Sequence, residues 1–251
     1  MFELTGKKAI VTGATRGMGL AIAEGYLRQG AEVAITGTSD RVFGVAEELS
    51  KKTGGICHGV VADFRTREGT ASAFDACVET LGGELDILVN NAGIQRNHKA
   101  EEFTFESWDD VIRVNLEAVF AFSQRAGRIM LKRGKGRIIN MASLLSIFGG
   151  RQCTAYAAAK GGVTQMTKAM SNEWGGRGIT VNAIAPGYMN TDMNKAFCAD
   201  LGRSGHLLAR IPVGRWGEED DVVAAAVFFA SDEAAYVSGT MLPVDGGFTA
   251  W

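Results

Sequence analysis

Tyr156 and Lys160 stand four residues apart in "YAAAK", with three alanines between them. Alanine is the strongest helix former, and residues four apart on a helix share a face, so phenol and ammonium would lie one turn apart. That placement suits acid–base work. An unperturbed tyrosine titrates near ~10 and is a poor base at neutral pH, whereas a nearby ammonium favours the phenolate. The same five residues also read as a plain surface helix with a solvated lysine. Ser143 in "NMAS" could donate a hydrogen bond to an oxygen that gains charge. Asn115 in "RVNL", between Val114 and Leu116, is either part of such a site or a satisfied core residue.

A second cluster could hold a phosphate. "TGATRGMG" carries Gly13, Gly17 and Gly19 directly after an apolar run and before "LAIAEGYL". A glycine-rich turn between strand and helix lets backbone approach a pyrophosphate at the helix's positive end. The spacing here is G-x-x-x-G-x-G, and in a chain with 33 glycines a cluster alone says little; its position between strand and helix is what counts. "NNAG" at 90–93 closes another apolar run, where Asn90 and Asn91 either cap a turn or line a crevice.

The elements that must position these residues alternate. "KAIVTG", "AEVAITG", "GVVADF", "LDILVNNAG", "GRIINMAS", "ITVNAIAPG" and "TMLPVDGG" are short apolar-rich runs ending in small or polar residues. Such runs suit parallel strands buried on both faces. Between them lie helical patterns such as "GLAIAEGYLRQG", "DRVFGVAEELSKK" and "SWDDVIRVNLEAVFAFSQRAGRIML". The alternation predicts right-handed βαβ units in one α/β domain over residues 1–251: a doubly wound sheet of about seven parallel strands with helices on both faces. Residues 188–214 lack a strand pattern and lie near Pro186 and Pro212; they read as a small helical lid after strand six.

Bulk properties narrow the functions. A net charge of -2 and a pI near 6.0 give no reason to expect nucleic acid or an anionic membrane as partner. "KRGKGR" at 132–137 reads as a solvated helix end and turn. The longest apolar run, "VVAAAVFFA", is too short to span a bilayer, and no signal peptide opens the chain, which predicts a cytoplasmic protein. Four scattered cysteines without a CxxC pair predict reduced thiols, and three scattered histidines predict no metal site.

Taken in order, TGxxxGxG, NNAG, Ser143, YxxxK, "PGYMNT" and "VDGG" resemble the short-chain dehydrogenase/reductase family from Lys7 to Gly247. The resemblance implies a Rossmann-type fold and a catalytic tetrad of Asn115, Ser143, Tyr156 and Lys160. Lys160 would also hold the nicotinamide ribose, and Asn115 would help place a water in a proton relay. The implied cofactor contacts begin at the first turn with Gly13, Thr15, Arg16, Gly17, Met18 and Gly19. They continue at the ends of strands two to four with Gly37, Thr38, Ser39, Asp63, Phe64, Asn91, Ala92 and Gly93. Tyr156 and Lys160 join them, as do Pro186, Gly187, Met189 and Thr191 beyond strand six. No metal is implied.

"GIQR" and "NEWGGRGI" are similar to the sugar-acid branch: 2-deoxy-D-gluconate 3-dehydrogenases, 2-keto-3-deoxygluconate dehydrogenases and gluconate 5-dehydrogenases. This implies hydride transfer at a keto or hydroxy group of a sugar acid or uronate-derived keto acid. Two alternatives stand beside it: a 3-oxoacyl-thioester (acyl carrier protein) reductase and a catalytically silent nucleotide-binding protein. Gln95, Arg96, Ser143, Arg151, Gln152, Tyr156 and Tyr188 are the candidate substrate contacts, an arginine among them suiting a carboxylate. Arg96 and Arg151 also read as surface loop residues. NADP is the expected cofactor, with NAD possible: Gly37, Thr38 and Ser39 offer no carboxylate where strand two ends, and Arg16 could fork onto a phosphate. The family resemblance further implies a homotetramer, packed through residues 108–130 and 156–174 and at the C-terminal segment ending in Trp251.

Overall fold

Alternation within each strand is what divides the core. In β1 (Lys8–Val11), Ala9 and Val11 join one apolar cluster while Ile10 joins the other. Successive side chains of a strand point to opposite faces, so a run apolar at every position must be covered twice. One layer consists of α1 (Gly17–Arg28), α2 (Arg41–Thr53) and α9 (Val223–Ala230), which bring Ile22, Tyr26, Leu49 and Phe229 onto that face. The other consists chiefly of α3 (Arg67–Thr80), α5 (Ala118–Arg133) and α6 (Thr154–Trp174), contributing Phe74, Phe122, Met130 and Met170. The computed structural model describes residues 2–191 and 195–250, so Trp251 lies outside the described residues.

The sheet has seven strands, all parallel, in the order β3-β2-β1-β4-β5-β6-β7. The remaining strands are β2 (Glu32–Gly37), β3 (Cys57–Val61), β4 (Ile87–Asn90), β5 (Gly136–Met141), β6 (Ile179–Pro186) and β7 (Met241–Val244). The expected doubly wound α/β sheet is therefore the observed one. Its order reverses between β1 and β4, and beyond the carboxyl ends of those strands a crevice opens, the place where such sheets take ligands.

One helix departs from expectation. The pattern around Asn115 reads as a single helix, but α4 (Phe105–Ile112) passes into a π turn at Arg113–Glu117 before α5 begins. Single π turns inside helices are frequent at functional sites. The segment after β6 contains two short helices, α7 (Lys195–Ala199) and α8 (Leu201–Leu208), with turns and bends among its other described residues. Among the described residues no helix is long and apolar enough to cross a membrane. Arg133 and Lys135 of the basic run reach Asp86 at 3.1 and 3.6 Å, beside a helix that ends at Gly134.

Candidate active site

Thr12, the first residue of the TGxxxGxG motif but absent from the expected cofactor contacts, knits the crevice together. Its Oγ1 accepts from the backbone N–H of Asn91 at 2.9 Å and of Ala92 at 3.0 Å. Asn91 returns the connection through Nδ2, which donates to the carbonyls of Thr12 at 2.9 Å and Gly13 at 3.0 Å. The glycine turn and NNAG therefore form one backbone unit, and Asn91 is structural mortar within it. The sequence signal for Thr12 is its place at the head of the TGxxxGxG motif, where β1 meets Gly13.

This unit fits a dinucleotide's pyrophosphate. A Cβ at Gly13 would fall 2.8 Å from Ala92 Cα, and one at Gly19 would fall 2.4 Å from Asn91 Nδ2 and 2.6 Å from the Gly13 carbonyl. At Gly17 the space opens, with only Glu219 Oε1 at 3.6 Å. The backbone is thus packed tightly from behind and bare in front. No side chain caps the start of α1 and no acidic residue stands in its first turn, which leaves unpaired N–H groups and a positive dipole end for an anion.

At the end of β2 the structure explains why no carboxylate is present. A Cβ at Gly37 would lie 2.4 Å from the Thr15 methyl and 3.2 Å from Val42 Cβ. Thr15 fills the space in which an acidic side chain would start. Thr38, Ser39 and Arg16 are exposed beside it. Of the other candidate cofactor contacts, Asp63 is tied to Arg65 at 3.0 and 3.1 Å, and the Phe64 ring is buried edge-on to Phe122 at 5.4 Å. Phe64 therefore has only backbone to present to a ligand. Met18 and Met189 pack into the core cluster beneath, and Gly93 lies over Asn115. Pro186 ends β6, Gly187 N–H donates to Val244 O at 2.9 Å, and Thr191 is half-buried.

Across the crevice, β5 and α6 place side chains. Ser143 follows β5 by two residues and begins a short turn, accepting from Leu145 N–H at 3.1 Å. Ser146 ties that turn to α6 by donating to the Lys160 carbonyl at 2.8 Å. Tyr156 is the third residue of α6, and the Ser143 hydroxyl lies near enough to its phenol to favour the phenolate. Lys160 is only 3% exposed; its Nζ donates to the Met141 carbonyl at 2.6 Å and sits 5.7 Å from the centre of the Tyr156 ring. YAAAK is thus no solvated surface pair.

The electrostatics correct one expectation. The ammonium was expected to draw the Tyr156 phenol down, but the phenol lies above its ordinary value. Enclosure raises it, the nearby Ser143 hydroxyl opposes, and Lys160 is turned onto the β5 carbonyl. Burial itself pushes Lys160 down to about 8. Asn115 is fully buried, and its side chain grips one residue at both ends: Oδ1 accepts from Ile94 N–H at 2.8 Å, and Nδ2 donates to Ile94 O at 2.9 Å.

Ile94 begins the segment holding the substrate candidates. Gln95 donates to Asn97 Oδ1 at 2.9 Å, and Arg96 is drawn to Asp110 of α4 at 3.3 Å. Arg151 and Gln152 are exposed on the loop leading into α6. Tyr188 stands apart from these, edge-on to Phe248 at 5.1 Å and Trp216 at 6.2 Å. Leu144, Ile211 and Phe248 form the buried centre of that aromatic group, with the Arg210 guanidinium 4.2 Å over the Phe248 ring. Sequence spacing offers no signal for this wall, because it joins the residue after Ser143 to separate, distant stretches of chain around Tyr188, Ile211 and Phe248.

Comparison with known proteins agrees with this geometry. Residues 13–249 match the family profile described as "Enoyl-(Acyl carrier protein) reductase". The chain belongs to the short-chain dehydrogenase/reductase family, whose members are oxidoreductases. It is 45% identical over 248 residues to the 2-dehydro-3-deoxy-D-gluconate 5-dehydrogenase of Bacillus subtilis, covering 98% of this chain and 96% of the relative. A Beutenbergia cavernae structure, described as an NAD(P)-dependent gluconate 5-dehydrogenase with bound NADP at low occupancy, superposes with a TM-score of 0.95 at 47% identity over 100% of this chain and 99% of that one. The gluconate 5-dehydrogenase of Burkholderia cenocepacia, solved with NADP and tartrate, gives 0.94 at 38% identity over 100% and 98%.

Proposed function

We propose that this enzyme interconverts a keto and a hydroxy group of a sugar acid or uronate-derived keto acid with NADP(H). The observation that carries the reading is the pairing of Tyr156 with buried Lys160, its Nζ 5.7 Å from the Tyr156 ring, beside Ser143 and facing a turn built for a pyrophosphate. The nicotinamide cofactor, when bound, supplies or takes up the hydride. Tyr156, a phenol protonated at neutral pH, gives its proton to the carbonyl oxygen in the reductive direction. Ser143 donates a hydrogen bond to the same oxygen as charge builds on it. Lys160, with its titration near 8, responds to pH close to neutrality and holds the ribose. Asn115, clamped on Ile94 within a π turn, positions the relay beside Tyr156.

The sugar acid comes from the relatives' names and from tartrate in the Burkholderia structure; NADP comes from both solved relatives and from the absence of an acid at Gly37. Gly13, Gly17, Gly19 and Thr38 are the cofactor contacts on which the reading leans most. Residues 188–214 act as the lid over the substrate, and the enzyme works in the cytoplasm. It assembles as a homotetramer, supported by Phe105 and Phe120, 86% and 47% exposed on α4 and α5, and by Leu242, 37% exposed on edge strand β7. The experiment is a screen of polyhydroxylated keto acids and a 3-oxoacyl thioester with NADPH and NADH, followed at the nicotinamide absorbance. Turnover of keto acids with NADPH is expected; turnover of the thioester alone would replace this reading.

A further inference from the structure

A site for a pyrophosphate gains from cations, yet a carboxylate stands in front of this one. Among the described residues, a Cβ built at Gly17 would meet a single atom beyond its chain neighbours, Glu219 Oε1 at 3.6 Å. No residue of α1 itself is acidic in the first turn, and Arg16 gives the helix no side-chain cap. The carboxylate comes instead from near the other end of the chain, on the short turn Glu219–Val222 that leads into α9.

Packing fixes that position. Val223 follows the turn and sits against Gly25 of α1, where a Cβ would fall 2.5 Å from Val223 Cγ1. Asp221 is gripped by both terminal nitrogens of Arg215 at 2.6 and 2.8 Å and accepts from Glu218 N–H at 2.7 Å. The backbone around Glu219 is thereby pinned beside the start of α1, with Glu219 half-buried. A cavity of about 340 Å³ opens there, lined by Asn190, Lys195, Glu218, Glu219 and Asp220. Three carboxylates against one ammonium make this mouth negative, and Asn190 adjoins Thr191, one of the expected cofactor contacts.

We propose that Glu219 sets how tightly the cofactor is held: its carboxylate lies in the anion field at the start of α1, and the dinucleotide's pyrophosphate binds against it or pushes it aside. The inference rests on the NADP(H) reading above and adds to it a residue that opposes binding. Before the cofactor arrives, the positive end of α1 favours the Glu219 charge. Once the pyrophosphate is seated, two anions share that end, and either their repulsion or the displacement of Glu219 weakens binding. A dehydrogenase must release its cofactor after every turnover, and a looser hold serves that step.

The test measures Kd for NADPH by fluorescence titration in wild type, Glu219→Gln and Asp220→Asn, at low and high salt. Both variants remove one charge from the same cavity, but only Glu219 faces Gly17, and glutamine keeps the size of the side chain. At low salt Glu219→Gln should bind NADPH roughly 3- to 10-fold tighter, with the gain shrinking at high salt as the charges are screened. NADH should gain by the same factor, because both dinucleotides carry the pyrophosphate. Inorganic pyrophosphate, competed against NADPH, should gain as well. Asp220→Asn should move each constant by less than about twofold. Unchanged or weaker NADPH binding in Glu219→Gln overturns the inference, as does an equal gain in Asp220→Asn or a gain that salt leaves untouched. A gain for NADPH without one for inorganic pyrophosphate overturns it too. All of these leave the enzyme's reading intact; a wild type that binds neither dinucleotide overturns both.

Discussion

On the β1 side of the crevice, Gly13 and Gly19 leave no room for a Cβ, and the groups on offer to a ligand are backbone amides at the start of α1. On the β5 side the reverse holds: Ser143, Tyr156 and Lys160 project functional groups, and the backbone carbonyls of Met141 and Lys160 are used to hold them in place. The contrast follows from what each side must do. A pyrophosphate carries permanent charge and needs only donors and close approach, which bare backbone provides. Proton transfer needs a group that changes state, so it requires a titratable side chain in a tuned environment. Damage to the two sides should therefore look different: lost chemistry on one, lost binding and stability on the other.

The sharpest break is Tyr156→Phe. The ring stays and the hydroxyl goes, so kcat should fall roughly 10²–10⁴-fold, the usual size of a lost general acid. NADPH affinity, measured by fluorescence titration, should stay within a few fold. Near wild-type kcat would remove Tyr156 from the chemistry and erase the contrast. Next in size is Gly19→Ala. The added methyl would meet Asn91 Nδ2 at 2.4 Å and the Gly13 carbonyl at 2.6 Å, and a backbone carbonyl cannot swing aside as a side chain can. Overpacking of this kind costs about 1–3 kcal/mol. The melting temperature should drop by several degrees, and NADPH should bind at least tenfold more weakly. A variant that melts and binds like wild type would show that the turn has slack.

Much of both sides is legible in sequence, for different reasons. The glycine turn shows because a bare backbone has only one residue type that makes it, and the seven strands show because runs buried on both faces must be apolar throughout. Tyr156 and Lys160 show through helical spacing. What stays hidden depends on neighbours far along the chain. The π turn at Arg113–Glu117 has the same apolar pattern as an α-helix. The direction of Lys160 is set by the Met141 carbonyl, nineteen residues earlier. Crowding at Gly37 is set by Thr15, and the loop "GGRQC" would suggest strain at a glycine, whereas it lies at Gln152.

Cofactor choice sharpens the comparison, because it is the one place on the β1 side where side chains decide. Gly37→Asp would seem the natural switch toward NAD, yet its Cβ would press on the Thr15 methyl at 2.4 Å. Thr38→Asp, one residue on and exposed, adds the charge without the collision. The ratio of kcat/KM for NADPH over NADH should fall roughly 10- to 100-fold, what ~1.4–3 kcal/mol of like-charge repulsion yields. Gly37→Asp should lower the melting temperature as well. An unchanged ratio in Thr38→Asp would place the phosphate elsewhere.

The smallest expected effect belongs to Lys160, and it is read as stability against pH in the enzyme without cofactor. Burial holds its folded value at about 8, against an ordinary 10.5. Below pH 8 the folded and unfolded chains both carry the proton, and the folded state bears the full cost of a buried ammonium. Between 8 and 10.5 the folded protein releases a proton that the unfolded chain keeps, so the unfolded state binds more protons and stability rises with pH. Other groups pull the opposite way: burial pushes the Cys57 and Cys77 thiols up to about 12, so the stability they contribute is lost as pH climbs beyond their ordinary 9.0. Subtracting wild type from Lys160→Met cancels those thiols, which both proteins share. Urea midpoints at pH 7, 8 and 9 should show the methionine variant ahead at pH 7. Its lead should shrink by about 1 kcal/mol by pH 9, since one unit of pKa is worth about 1.36 kcal/mol. A constant lead would mean that the hydrogen bond to Met141 offsets the burial and that Lys160 stays charged throughout. The β5 side would then hold a fixed charge as well as a titrating phenol, and the contrast between the two sides would rest on Tyr156 alone.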